Sequence, residues 1–326
     1  MRRSILDTIG SPLVQIASPP GSVITAKLES FNPGGSSKDR PALAMIEAAE
    51  REGILEPGDR IVEATSGNTG IGLAIVCAAR GYDLTIVMPA SKSEERRRLL
   101  RAYGATIELV EGDMQAARER ADELADEEGA VRLRQFQNPA NVDAHYRTTA
   151  AEILAELDGR TIDAFVAPVG TGGTLTGVAR RLREEYPDVT IIAVEPSENP
   201  VLSTGEAGED AYQGMGPGFV SELLDLELID SVETVSLAAA ERECRRLARE
   251  QGILVGQSSG AAMIAATRVA ERIARPELDC REVGAGSTVA STDGGLPVDV
   301  DDCPLVVTVF PDSGERYLST GTFDEP

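Results

Sequence analysis

Three short segments hold the side chains and glycines from which a chemical site could be built. GTGGT at 170–174 follows an apolar run and leads into a helical pattern. A helix N-terminus there offers free backbone N–H groups and a partial positive charge, which suits an anion. Gly170, Gly172 and Gly173 let the backbone approach a phosphate closely, and the hydroxyls of Thr171 and Thr174 can add hydrogen bonds. No Gly-Lys-Ser/Thr follows, so the segment is not a Walker loop, and the GxGxxG dinucleotide pattern is not met cleanly. Alone, it reads equally well as a tight strand-to-helix turn. TSGNTG at 65–70 sets hydroxyls, an amide and backbone N–H groups at a helix start, a combination suited to a carboxylate. For any one of these residues, a helix N-cap is an adequate reading. NPGGSSKDR at 32–40 puts Lys38 in a small-residue loop just before a helix beginning near ALAM. A lone lysine in that setting reads as surface, since lysine is mostly exposed.

These segments need a scaffold, and the apolar rhythm supplies one. RIVEA at 60–64, LTIVM at 84–88 and TIELV at 106–110 read as strands. Helical patterns at 70–81, 93–105 and 112–130 alternate with them. A second block follows. Helices are expected at 145–157, 174–186, 237–252 and 258–274, with strands at 164–170, 190–196 and 305–310. Alternation of this kind builds parallel sheets covered by helices on both faces. Two blocks imply two α/β domains with a cleft between them, where ligands bind. ELDCREVGAGSTVASTDGGLPVDVDDCP at 277–304 breaks the rhythm and is too long for an ordinary connection. It reads as an exposed, mobile surface insertion.

The 326 residues have room for two domains, and an apolar content of 42% can fill their cores. No stretch is apolar for the length a membrane helix needs, and the start lacks the apolar core of a secretion signal. The expectation is a soluble, cytoplasmic protein. With 31 basic against 54 acidic side chains, the formal charge is −23. So acidic a surface repels nucleic acid and anionic membranes. The acids are spread along the whole chain, as in a diffusely hydrated surface adapted to high salt. Cys77, Cys244, Cys280 and Cys303 form no CxxC pair and His145 is the only histidine, which argues against a zinc site. No metal is expected. Cys77 reads as a buried small hydrophobe. Cys280 and Cys303 flank the insertion; their spacing leaves a disulfide open, which a reducing cytoplasm disfavours. His145 reads as structural.

Taken together, the segments carry more than each does alone. NPGGSSKDR, EATSGNTG, RQFQNPAN, GTGGTLTG, QGMGPGF and GQSSGAA occur in the order found in the fold type II pyridoxal-phosphate enzymes. The chain resembles the cysteine synthase (O-acetylserine sulfhydrylase) and cystathionine β-synthase family within that group. The similarity runs from IGSPLVQI to SGERYLSTGTF, leaving out the 277–304 segment. It implies two three-layer α/β/α domains with mostly parallel sheets and pyridoxal 5'-phosphate in the cleft between them. Residues 40–147 would form a smaller mobile domain, and 1–39 with 148–326 a larger one holding the phosphate. By resemblance, Lys38 anchors the cofactor and Asn68 bonds its ring hydroxyl. Gly170, Thr171, Gly172, Gly173 and Thr174 hold the phosphate, and Ser258 faces the pyridine nitrogen. Thr65, Ser66, Gly67, Thr69 and Gln135 contact the substrate carboxylate. Gly214 and Gly216 shape the cavity near the leaving group.

The activity implied is β-replacement, in which O-acetylserine and sulfide give cysteine and acetate. A neutral Lys38 amine would remove the α-proton. Serine rather than a carboxylate at position 258 would leave the ring nitrogen largely neutral, which favours elimination over transamination; a helix N-cap is the structural alternative for it. The nearest alternative is cystathionine β-synthase, which HYRTTAAEIL and DGRTIDAF resemble. GERYLSTGTF is similar to a branch that also uses thiosulfate. A Ser/Thr dehydratase usually differs around the lysine. A non-catalytic homologue would be expected to lose the lysine or the phosphate loop, and both are intact. The family also implies a homodimer, and some members bind the C-terminal tail of serine acetyltransferase. This sequence itself carries no sign of that contact.

Overall fold

The computed structural model describes residues 1–91, 94–278, 280 and 302–324. In chain order its elements are β1 (Leu13–Ile16), β2 (Val23–Leu28), α1 (Asp39–Arg51), β3 (Arg60–Ala64), α2 (Asn68–Arg80), β4 (Asp83–Pro89), α3 (Glu94–Ala102), β5 (Thr106–Val110) and α4 (Met114–Glu128). There follow α5 (Ala140–Ala144), α6 (Ala150–Leu157), β6 (Ala164–Pro168), α7 (Gly173–Glu185), β7 (Thr190–Pro196), α8 (Val201–Thr204), β8 (Ser231–Val235), α9 (Leu237–Gln251), α10 (Gln257–Ile273) and β9 (Leu305–Phe310).

The strands form two sheets. One has the order β1-β2-β9-β6-β7-β8, and the other β3-β4-β5. Only β1 and β2 pair antiparallel. The fold is therefore mixed α/β with mostly parallel sheets, as the alternating pattern predicts. The physical reason is legible in β9, LVVTVF. Leu305, Val307 and Val309 enter one apolar cluster, while Val306 and Phe310 enter the cluster on the opposite face. A strand buried on both sides must be apolar at nearly every position. The small sheet repeats this, with Ile61 and Val62 in different clusters.

Three strands lie outside the pattern read from sequence: β1, β2 and β8. In β2, VITAKL, every residue is buried, and Lys27 is fully so. Its ammonium bonds the Ser11 carbonyl and pairs with Glu156 at 2.6 Å and Glu152 at 3.0 Å. A cation satisfied in this way can sit inside a sheet. The helix expected over 145–157 begins with a π turn at His145–Thr149, which continues α5. There α7 packs closely, and a Cβ on Gly177 would lie 2.4 Å from the Val142 carbonyl oxygen.

Cys280 and Cys303 are joined by a disulfide, which corrects the expectation of unpaired thiols. Their Cα atoms are 5.9 Å apart, and both pack into the cluster that contains Leu305. The two ends of the long segment thus meet on one core face. Of the insertion expected at 277–304, residues 279 and 281–301 lie outside the described residues. Cys77 and Cys244 are free and buried.

Candidate active site

In a parallel sheet, the carboxyl ends of the strands and the helix starts that follow them share one edge. Two of the three segments lie on such edges, 65–70 after β3 and 170–174 after β6, and so do residues 311–312 after β9. The loop carrying Lys38 joins them through Ser37, whose N–H donates to the Pro311 carbonyl at 2.8 Å, and through a bridge between Ser36 and Asp312.

Lys38 immediately precedes α1. Its loop is closed by Asp39, whose carboxylate turns back to accept the Gly34 N–H at 2.5 Å. A Cβ on Gly34 would lie 2.3 Å from Asp39 Oδ1, so only glycine leaves room. Burial pushes the Asp39 carboxyl up to about 6. Beneath the loop, Arg40 forms two-pronged contacts with Glu29 (2.7 and 2.9 Å) and with Glu152 (both 2.7 Å). Lys38 points into the cleft. Burial lowers its amine pKa, against the pull of Asp312 and Glu29. The outcome is an amine more readily neutral, as a nucleophile or base must be.

The 170–174 loop works through its backbone. Gly172 is left-handed (φ +83°) and is the N-cap of α7. Its Cβ would lie 3.0 Å from Leu224 Cα, and one on Gly170 would lie 2.7 Å from the Gly214 carbonyl oxygen. Thr171 Oγ1 accepts from Asn141 Nδ2 at 3.1 Å. Thr174 Oγ1 lies 3.1 Å from His145 Nε2, while His145 Nδ1 lies 2.9 Å from Thr149 Oγ1. Burial, reinforced by Lys38 and Arg40, holds the imidazole pKa well below 6.5. His145 is thus a neutral structural support for the loop.

The 65–70 loop works through side chains. Thr69 Oγ1 donates to Gln135 Oε1 at 2.6 Å, and Thr65 Oγ1 accepts the Gly67 N–H at 3.2 Å. Arg96 Nη1 holds the Ser66 carbonyl at 2.9 Å. Asn68 Nδ2 donates to Asp312 Oδ2 at 2.7 Å, and the Arg316 guanidinium donates to Asn68 Oδ1.

The cleft between these loops holds about 610 Å³. Lys38, residues 65–69, Gln135, Gly170, Thr171, Gly214 and Ser258 all line it. Gly172 and Thr174 line a small adjoining chamber, again with Lys38 and Ser258. Gly173 and Gly216 line neither. Gly173 packs under the loop, where its Cβ would lie 2.1 Å from Asn141 Oδ1. Gly216 donates its N–H to the Val169 carbonyl at 3.0 Å. Ser258 is not the cap of α10; that position belongs to Gly256. Sequence reasoning missed Asp312, Arg316 and Tyr317 as site residues, although it used their segment for the resemblance. The signal available was position: Asp312 comes two residues after the last parallel strand, on the ligand-binding edge.

Residues 6–279 match the family model described as pyridoxal-phosphate dependent enzyme. The chain belongs to this family. It is 48% identical over 316 residues to a cysteine synthase of Staphylococcus aureus, covering 95% of this chain and 93% of that one. It is 45% identical over 326 residues to the O-ureido-L-serine synthase of Streptomyces lavendulae, covering 98% and 92%. The crystal structure of a cysteine synthase from Entamoeba histolytica superposes with a TM-score of 0.88 at 36% identity, covering 100% of this chain and 92% of that one. The fold is that of the type II enzymes, and the cofactor is pyridoxal 5'-phosphate. The residues present fit it. A glycine cradle with no room for Cβ atoms stands at a helix N-terminus, and an amine of lowered pKa faces the same cavity.

Proposed function

We propose that the protein is a cysteine synthase, transferring the alanyl unit of O-acetyl-L-serine to sulfide with release of acetate. The observation that carries this reading is the placement of Lys38. It lines one cavity with the 170–174 cradle and a second with the hydroxyl-bearing 65–69 loop, and the two share Gly170, Thr171, Gly214 and Ser258 in their walls. In this reading Lys38 anchors the cofactor, and Gly170 to Thr174 hold its phosphate through N–H groups and hydroxyls. Asn68 faces the ring oxygen and Ser258 the ring nitrogen. Thr65, Ser66, Gly67, Thr69 and Gln135 receive the substrate carboxylate, while Gly214 lines the space by the leaving group and Gly216 supports that turn from behind through its bond to the Val169 carbonyl. When bound, the cofactor supplies the electron sink for charge developing at the substrate α-carbon. With substrate seated, the neutral Lys38 amine would take the α-proton and later return it. Ser258 carries no charge, so it leaves that sink mild, which suits loss of a good leaving group.

The same reading makes residues 40–147 a smaller unit that closes on the larger one, in a cytoplasmic homodimer. The test is optical. The purified protein should show a visible band from lysine-bound cofactor, which shifts on adding O-acetylserine and returns on adding sulfide. Absence of any band after reconstitution would sink the proposal. A band indifferent to O-acetylserine but responsive to serine with homocysteine would replace it by cystathionine β-synthesis.

A further inference from the structure

Asn68 is an amide, and an amide can face a ligand with either of two opposite chemistries. Its oxygen accepts and its nitrogen donates, and the two ends are nearly the same size. In this chain the choice is not left to the ligand. On one side stands Arg316, whose guanidinium can only donate, and it bonds Asn68 Oδ1. On the other stands Asp312, a carboxylate that can only accept, and its Oδ2 takes the Asn68 Nδ2 proton at 2.7 Å. Turning the amide over would set Nδ2 against a cation and Oδ1 against a carboxylate, losing two charge-assisted bonds at once. One proton of Nδ2 is committed to Asp312. The other remains for the cleft that Asn68 lines.

The surroundings are built to keep this pair in place. Asp312 is 1% exposed. Tyr317 Oη lies 2.7 Å from Asp312 Oδ2 and 2.9 Å from the Gln213 carbonyl, so its one proton serves two acceptors, and burial together with Asp312 holds the Tyr317 pKa well above its usual value, so that proton stays. Asp312 Oδ1 is buried without a hydrogen-bond partner. A carboxylate is thus kept here although one of its oxygens goes unsatisfied. Two glycines make the room. A Cβ on Gly256 would lie 2.2 Å from Asp312 Oδ1 and 2.3 Å from the Tyr317 ring. One on Gly35, itself left-handed at φ +71°, would lie 3.1 Å from Arg316 Nη2.

We propose that Asp312 and Arg316 are positioning residues that lock the Asn68 amide with its N–H toward the cofactor, so that the ring oxygen is received as an anion. This rests on the cofactor reading above. It assigns Asp312 no direct contact with the reacting atoms.

The experiment is a cycle on the holoenzyme with Asp312→Asn, Arg316→Gln and Asn68→Ala, singly and in pairs. Two properties are read: the rate at which cofactor is released on dilution, and the pH midpoint of the visible band. Asp312→Asn and Arg316→Gln should each speed release by about 5- to 10-fold, the scale of one hydrogen bond. Each should also shift the band midpoint, because the ring oxygen loses a guaranteed donor. In the Asn68→Ala background both substitutions should change release by less than about twofold, since they act through that amide. Equal effects with and without Asn68, or no effect of either substitution in the otherwise unaltered protein, would overturn the proposal. An unaltered protein with no visible band would overturn the cofactor reading itself, an outcome the cycle cannot be confused with.

Discussion

The loops at 65–70 and 170–174 share a plan, strand then turn then helix N-terminus, yet they are built for contact in opposite ways. The 170–174 loop is crowded. Cβ atoms on Gly170, Gly172 and Gly173 would each come within 2.8 Å of a neighbour. The 65–70 loop has more room: a Cβ on Gly67 would come no closer than 3.8 Å to its nearest neighbour, the end of Arg96, and one on Gly70 would lie 3.0 Å from a Thr65 methyl. Its Thr69, Asn68 and Gln135 side chains are instead tied to one another or to Asp312. The difference follows from the ligand each would meet. A phosphate has many acceptor oxygens and takes a ring of N–H donors, which demands backbone at close range. In the proposed reading an amino-acid carboxylate is gripped and released in each turnover, and hydroxyls can do this without fixing the backbone.

The comparison breaks most sharply at glycine. Gly172→Ala places a side chain at φ +83° and against the backbone of Leu224. It should lower stability by about 2–4 kcal/mol from strain and overpacking together. Purified protein should carry little cofactor. Gly67→Ala, at an extended backbone position, should retain cofactor as the unaltered protein does. Denaturant titration and the cofactor-to-protein ratio measure both, and equal losses in the two variants would erase the distinction between the loops.

A smaller effect should fall on the substrate side alone. Thr69→Val removes the hydroxyl that holds Gln135 at 2.6 Å. KM for O-acetylserine should rise by about tenfold, the scale of one hydrogen bond, with the visible band unchanged in position and intensity. Steady-state kinetics beside a spectrum decide it; a loss of cofactor would show that the 65–70 loop supports the cofactor as well.

The contrast between the loops was only half legible in the sequence. Strand–helix alternation shows through because buried parallel strands must be apolar on both faces, so RIVEA, LTIVM and LVVTVF stand out. β2 stays hidden because Lys27 interrupts its run, and the Glu152 and Glu156 that neutralise it lie more than 120 residues away in the chain. Lys38 became readable only when six motifs were taken together, since a lysine in a glycine-rich loop has no meaning by itself. Asp312 and Arg316 stayed unread as site residues because their function lies in facing Asn68, a pairing made by tertiary structure. The Cys280–Cys303 bond was missed because compartment was weighed and packing was not.

The supports beneath the loops differ in a further way, and acid should reveal it. Gln135 does not titrate, so the 65–70 loop keeps its partner at any pH. The 170–174 loop leans on His145, 0% exposed and held neutral between Thr149 and Thr174. Its folded pKa lies well below 6.5, while the unfolded chain takes up that proton near 6.5. A depressed folded pKa means that the stability it contributes is full above pH 6.5 and is lost as pH falls toward the folded value. Between pH 7.5 and 5.5 the loss should be at most about 1.4 kcal/mol, the limit for a ring that takes up no proton in the fold. His145→Asn removes the titration while leaving every carboxylate in place. The stability gap between the unaltered protein and this variant should therefore narrow by up to that amount over the same interval, as read by denaturant melts at the two pH values. A gap that does not change with pH would mean that the imidazole titrates in the fold as it does in the unfolded chain, and a gap that widens as pH falls would mean that the 170–174 loop rests on a cation rather than on a neutral ring.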